Sequence, residues 1–146
     1  MILLRFLCIL SLFLCSCSLP RIIVLDDPLT PEEHLNLGVS YEKQGELDGA
    51  LKEYGLAAKR LPLAYVYMGN VYLAKGDRAS AEKYYLRALE RDPQNADACN
   101  NLAWLYYLEG KNLEEAERLA RRALELNPAK APIYRDTLEK IRDKRN

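Results

Sequence analysis

The sequence predicts an all-α fold: an α-α solenoid of three stacked helix pairs, closed by a C-terminal helix. Three observations carry this reading. One arrangement of small and large residues occurs three times at the same spacing. Its offsets of three, four and seven are those of one face of an α-helix. Glycine and proline punctuate the copies at matching places.

The amino terminus, MILLRFLCILSLFLCSC, is apolar apart from Arg5 and two serines. Its apolar run from Ile2 to Leu14 is short for a spanning helix, which needs about 20 residues. The length suits the centre of a secretory signal with a weakly positive start. The run ends in Leu14-Cys15-Ser16-Cys17. This resembles the bacterial lipoprotein signal, in which an aliphatic residue and two small residues precede the cysteine that receives lipid. The resemblance implies that residues 1–16 are a signal peptide and that Cys17 becomes the lipidated first residue, carrying acyl chains of the palmitate class. Ser18 at the next place implies sorting to the outer membrane of a bacterial cell envelope, facing the periplasm. Each buried methylene contributes about 0.8 kcal/mol, so two or three chains together anchor stably where one would not. An ordinary cleaved signal and an uncleaved N-terminal anchor are the other readings. Residues 17–29 follow as a tether with two prolines, and its run Arg21–Leu25 (RIIVL) could dock as a short extended segment.

The repeats occupy residues 30–128. Ala50, Tyr54, Ala57 and Pro62 are matched at identical spacing by Ala81, Tyr85, Ala88 and Pro93. A third set is Ala116, Ala120, Ala123 and Pro128. Upstream of each lies a bulky–small–x–x–aromatic pattern: Leu37, Gly38 and Tyr41; Met68, Gly69 and Tyr72; Leu102, Ala103 and Tyr106. Each copy is therefore two helices, and the copies divide at about 31–61, 62–95 and 96–128. Alanines are expected where helices approach closely, with tyrosine filling the space beside them and proline ending the second helix.

The expected helices span about 31–44, 47–60, 63–75, 78–91, 96–109, 113–126 and 131–143. Thr30-Pro31-Glu32-Glu33 reads as a capping box with proline at the first turn. Gly45, Gly76 and Gly110 fall where a left-handed residue ends each first helix. Asp77 and Asn95 are candidate N-caps. The third copy has one extra residue between Tyr106 and Ala116, so its turn is longer. The segment 129–146 reads as a capping helix with Ile133 or Tyr134, Thr137, Leu138 and Ile141 inward and a charged outer face, since repeat arrays need a polar end.

These positions resemble the tetratricopeptide repeat (TPR). The resemblance implies a right-handed superhelix whose concave face is built from the first helices. Transferred residue by residue, it places Leu35, Val39 and Glu42 in the groove from copy one, Val66, Asn70 and Leu73 from copy two, and Asn100, Trp104 and Tyr107 from copy three. Trp104 and Tyr107 are the expected anchors, because aromatic side chains bury large area at low entropy cost. Asn70 and Asn100 can hold a peptide backbone by donating and accepting together. The opposing reading is that the capping helix or the RIIVL run covers the aromatic patch. The lysines and arginines with which some TPR domains clamp carboxylates are missing at Leu35, Val39, Val66 and Asn70. The implied ligand is thus a protein or peptide with an apolar or amphipathic segment, not an acidic tail.

Composition narrows the function classes. Lys plus Arg and Asp plus Glu are each 21, so the formal charge is zero, and nothing marks a nucleic-acid partner. His34 is the single histidine, read as an exposed or half-buried surface residue. Cys99 is read as a buried, inert thiol. Arg118 and Arg122 are read as a repulsive i, i+4 pair, and Glu117–Arg121 as an attractive one. No phosphate loop, metal-spaced cluster or catalytic triad is found, so no enzyme, cofactor or metal is expected. The sequence points to a membrane-anchored scaffold that binds a partner in a groove, in envelope, secretion or pilus-type assembly. The alternative is a self-associating structural lipoprotein, a homo-oligomer without a peptide ligand.

Overall fold

The computed structural model of the protein describes residues 27–146. The signal segment, Cys17 and the RIIVL run lie outside the described residues. The described residues form seven α-helices: α1 Pro31–Lys43, α2 Leu47–Ala57, α3 Leu63–Ala74, α4 Arg78–Arg91, α5 Ala96–Glu109, α6 Leu113–Leu126 and α7 Ala131–Arg145. A 3₁₀ turn, Pro128–Lys130, leads into α7. Helices α1 and α2, α3 and α4, and α5 and α6 pack as pairs, and each second helix also touches the first helix of the next pair. α3 additionally meets α5, and α7 packs on both α6 and α5. The architecture is the predicted stack of pairs with a closing helix.

Local chemistry sets the helix ends. The Thr30 hydroxyl accepts from the Glu33 amide at 3.2 Å, and the Thr30 amide donates to the Glu33 carboxylate at 2.8 Å, closing the capping box. Asp77 and Asn95 cap α4 and α5 by accepting from the amides of Ser80 and Ala98. Gly45, Gly76 and Gly110 end the three first helices with φ of 79°, 79° and 66°, a backbone that only glycine adopts without cost. The extra residue of the third turn is absorbed by a second left-handed residue, Asn112, at φ 51° and ψ 37°. Asparagine tolerates this region better than most side chains.

Two expectations are corrected here. Helix α2 stops at Ala57, not near residue 60. The amides of Arg60 and Leu61 both turn back onto the Ala57 carbonyl, which lets Pro62 serve the next helix. The second correction concerns packing. The alanines are fully buried, as expected, but the notch that receives each tyrosine is a glycine on the partner helix. A methyl group on Gly38 would overlap the ring of Tyr54, and one on Gly69 would overlap the ring of Tyr85. Both tyrosines are fully buried, each contributing about 2 kcal/mol through its removal from water. The third pair has Ala103 facing the position where the tyrosine is replaced by Ala120, and both are fully buried. Large against glycine, or small against small, keeps the helix separation within reach of contact in all three pairs.

The core runs continuously from Ala50 in α2 to Ile141 in α7. On α7 the inward residues are Tyr134, Thr137, Leu138 and Ile141, whereas Ile133 is exposed. The arginines of α6 do not oppose each other: Arg118 pairs with Glu115, and Arg122 donates to the Pro93 carbonyl at 2.8 Å. Glu117, buried at the α6–α7 seam, gathers Arg121, Arg142 and Arg145. This cluster ties the closing helix to the third pair.

Candidate functional site

The layer of first helices carries a trough of about 420 Å³ between α3 and α5. Leu63, Val66 and Tyr67 supply its apolar wall, and Asn70 and Asn101 supply amides. Asp97 and Lys130 close one end with an ion pair of 2.7 Å. Burial works to raise the Asp97 carboxyl, but hydrogen bonds from Lys130 and from the Tyr134 hydroxyl outweigh it and hold it below the usual carboxylate range. The trough therefore sets an apolar wall beside neutral donors and acceptors, with its Asp97 and Lys130 charges paired.

The amides are held in a ladder. The Asn70 carbonyl accepts from the Tyr85 hydroxyl at 2.9 Å and from the Asn101 amide at 2.9 Å. The packed tyrosine of α4 thus fixes the groove asparagine of α3, so the pair that builds the core also orients the site. In the first pair, Tyr54 donates in the same way to Glu42 at 2.7 Å. Asn70 spends its carbonyl inside the protein, and no hydrogen bond from its amide nitrogen occurs among the described residues.

The residues expected in the groove divide into two kinds. Leu35, Val39, Asn70, Leu73, Trp104 and Tyr107 are half-buried and present surface. Val66 and Asn100 are 3% and 7% exposed. Val66 contributes only an edge to the trough. Asn100 presents almost nothing: its amide reaches only Asn101, at 3.5 Å, and its carbonyl oxygen is buried without a hydrogen-bond partner. Its neighbour Asn101 takes the groove position. Sequence reasoning missed Asn101, Leu63, Tyr67 and Lys130. The first of these was legible in principle, since Asn101 stands i, i+3 to Trp104 on the same helix face.

Trp104 and Tyr107 stack, with ring centroids 4.9 Å apart. Helix α7 reaches over this patch with two lysines. Lys140 Nζ lies 5.2 Å from the Trp104 ring and Lys144 Nζ lies 4.7 Å from the Tyr107 ring. Lys144 also donates to the Tyr107 carbonyl at 2.6 Å, and Lys140 pairs with Asp136. The capping helix thus supplies part of the cover, through flexible side chains rather than an apolar face. Each such cation–ring contact contributes about 0.5–1 kcal/mol at an exposed site, little enough for a ligand to displace.

Cys99 is fully buried, and burial pushes its thiol up. Among the described residues, no group of three His, Cys, Asp or Glu could hold a metal ion, and no helix is long and apolar enough to cross a membrane. His34 corrects the sequence reading: it is 5% exposed and bridges two carboxylates.

Comparison with known proteins rests on the same residues. A family model described as tetratricopeptide repeat matches residues 21–64 and 68–131. The chain belongs to the tetratricopeptide repeat family. It is 32% identical over 101 residues to the protein O-mannosyl-transferase TMTC2 of Homo sapiens, covering 65% of this chain and 12% of that protein. It is 31% identical over 101 residues to the photosystem I assembly protein Ycf3 of Rippkaea orientalis, covering 60% of this chain and 58% of that one. The chain therefore spans only part of the length of these relatives. Among solved structures, the first TPR of Spaghetti (RPAP3) bound to the HSP90 peptide SRMEEVD superposes with a TM-score of 0.70 at 23% identity, covering 80% of this chain and 94% of that one. This likeness establishes the TPR fold.

Proposed function

We propose that the protein is a membrane-anchored TPR scaffold that holds a partner protein or peptide in its first-helix groove. The observation that carries the reading is the trough between α3 and α5, where an apolar wall faces the Asn70 and Asn101 amides; the stacked Trp104 and Tyr107 follow further along α5. An extended segment laid there buries apolar side chains on Tyr67 and Leu63 while its backbone meets the two amides. The mechanism is binding alone, with no chemical step. The peptide held by the RPAP3 neighbour carries acidic residues at its end. Here Leu35, Val39, Val66 and Asn70 offer no cation, Lys130 is committed to Asp97, and Lys140 and Lys144 are engaged with Asp136, the aromatic rings and the Tyr107 carbonyl. The ligand proposed is accordingly apolar or amphipathic.

The anchor belongs to the same proposal. Leu14 to Cys17 supports lipidation at Cys17, and Ser18 supports an outer-membrane position facing the periplasm. A lipid-held groove raises the local concentration of its partner at the membrane without any new contact, which fits an accessory role in envelope, secretion or pilus-type assembly. Pull-down from envelope extract with the wild-type chain and Trp104→Ala tests the groove: the partner is retained by the first and depleted with the second. Metabolic labelling with a fatty-acid analogue, with Cys17→Ser as control, tests the anchor. Equal capture by both proteins refutes the groove, and label surviving Cys17→Ser refutes the anchor.

A further inference from the structure

We propose that Asp27, His34 and Glu53 form a proton-dependent clasp, which fastens the segment from Asp27 to Thr30, ahead of α1, to the first helix pair. His34 sits in the first turn of α1 with its side chain 6% exposed. Its Nδ1 lies 2.7 Å from Glu53 Oε2 on α2, and its Nε2 lies 3.0 Å from Asp27 Oδ2 ahead of α1. A neutral imidazole has one N–H, whereas the imidazolium has two. Two carboxylates that each face a ring nitrogen are both satisfied only when the ring is doubly protonated or when one carboxyl keeps its own proton. If that proton leaves, one contact becomes acceptor against acceptor and opens.

Burial decides which one opens. The Glu53 side chain is 10% exposed and the Asp27 side chain 47%. A buried carboxylate deprived of its donor costs more than one that returns to water, so the ring keeps its remaining hydrogen for Glu53 and Asp27 lets go. Among the described residues, the other charged groups at this corner are Glu33 on α1 itself and Lys59 and Arg60 after α2, the last two lining a cavity of about 410 Å³ beside Leu29 and Leu56. Lys59 lies near enough to favour the ionised Asp27 carboxylate. The Leu29 amide, which donates to Asp27 Oδ1 at 3.1 Å, and then His34 hold the Asp27 carboxyl below its ordinary range. The contribution of Asp27 is therefore complete above its ordinary pKa and fades as pH falls through the lowered one.

Because His34 is the only histidine in the chain, its ring is read without ambiguity. The full chain, isotope-labelled in detergent micelles, is followed by long-range ¹H–¹⁵N correlation of the ring and by the Leu29 amide signal, from about pH 4 to about pH 9, a span that brackets ordinary histidine titration. The expected result is a ring protonated on both nitrogens at the acid end, with a Leu29 shift coincident with its deprotonation. Hydrogen-exchange protection at Leu29 falls roughly two- to fivefold across that step, the size appropriate to a partly exposed ion pair. In Asp27→Asn the Leu29 step disappears while the amides of α2 are unmoved. A Leu29 signal indifferent to the ring, a step that survives Asp27→Asn, or a ring neutral across the whole range overturns the clasp.

Discussion

Adding one methyl group to a helical glycine should have opposite effects at two places in this protein. Gly55 and Gly69 both lie inside helices, so replacing either by alanine removes backbone freedom from the unfolded chain and gains about 0.5–1 kcal/mol. At Gly55 nothing lies within 4 Å of the new methyl, and Gly55→Ala is expected to stabilise by that amount. At Gly69 the methyl would land on the ring of Tyr85, which is fully buried and donates to Asn70. Overpacking of this kind costs about 1–3 kcal/mol, and losing the hydroxyl contact adds about 1 kcal/mol. After the propensity gain is subtracted, Gly69→Ala should destabilise by about 1–3 kcal/mol, lowering Tm by about 4 °C for each kcal/mol. Urea and thermal unfolding followed by far-UV circular dichroism measure both variants. Gly69→Ala combined with Tyr85→Ala recreates the small-on-small pair of Ala103 and Ala120, so its loss should fall short of the sum of the single losses by about 1 kcal/mol or more. Stabilisation by Gly69→Ala, or additivity of the pair, would refute the glycine notch.

The same structure sets expectations elsewhere. Hydrogen bonds from Arg142 and Arg121, with Arg145 nearby, lower the Glu117 carboxyl from 4.5 to about 2. Its stabilising contribution is therefore present above the unfolded value and lost as pH falls from about 4.5 toward about 2; Glu117→Gln should flatten the acid limb of Tm against pH. Asn112→Val places a β-branched residue at positive φ and should cost about 1–2 kcal/mol, whereas Asn112→Gly should be neutral or stabilising, both read by chemical denaturation. Trp104→Ala removes a half-buried ring, its stacking on Tyr107 and the Lys140 contact, a loss of about 1–2 kcal/mol. The protein should still melt cooperatively, and an unfolded variant would place Trp104 in the core.

What could be read from the sequence was periodic or local. The alanine–tyrosine spacing fixed the number and order of helices because it repeats. The Thr30–Glu33 box and the three left-handed glycines were legible because each is decided within four residues. The inward face of α7 followed from offsets alone, and only Tyr134 over Ile133 needed the packing to settle. What escaped was non-local. His34 looked solitary because its partner Glu53 lies 19 residues away. Arg122 looked repelled by Arg118 because its real partner, the Pro93 carbonyl, belongs to the preceding pair. Asn100 and Asn101 are adjacent, about a hundred degrees apart around the helix, and the side that faces the groove depends on where α3 lies. The lysines over Trp104 and Tyr107 come from a helix whose approach no repeat spacing specifies.

The most direct test of the scaffold account is site-specific photo-crosslinking in living cells, with a photoreactive phenylalanine placed at Tyr67 in the trough and, separately, at Leu86, exposed on α4 outside it. The account predicts a discrete higher-mass adduct from Tyr67 that contains a second protein, and none from Leu86. Adducts from Leu86 alone, or from Tyr67 only to another copy of this chain, would contradict a partner held in the groove.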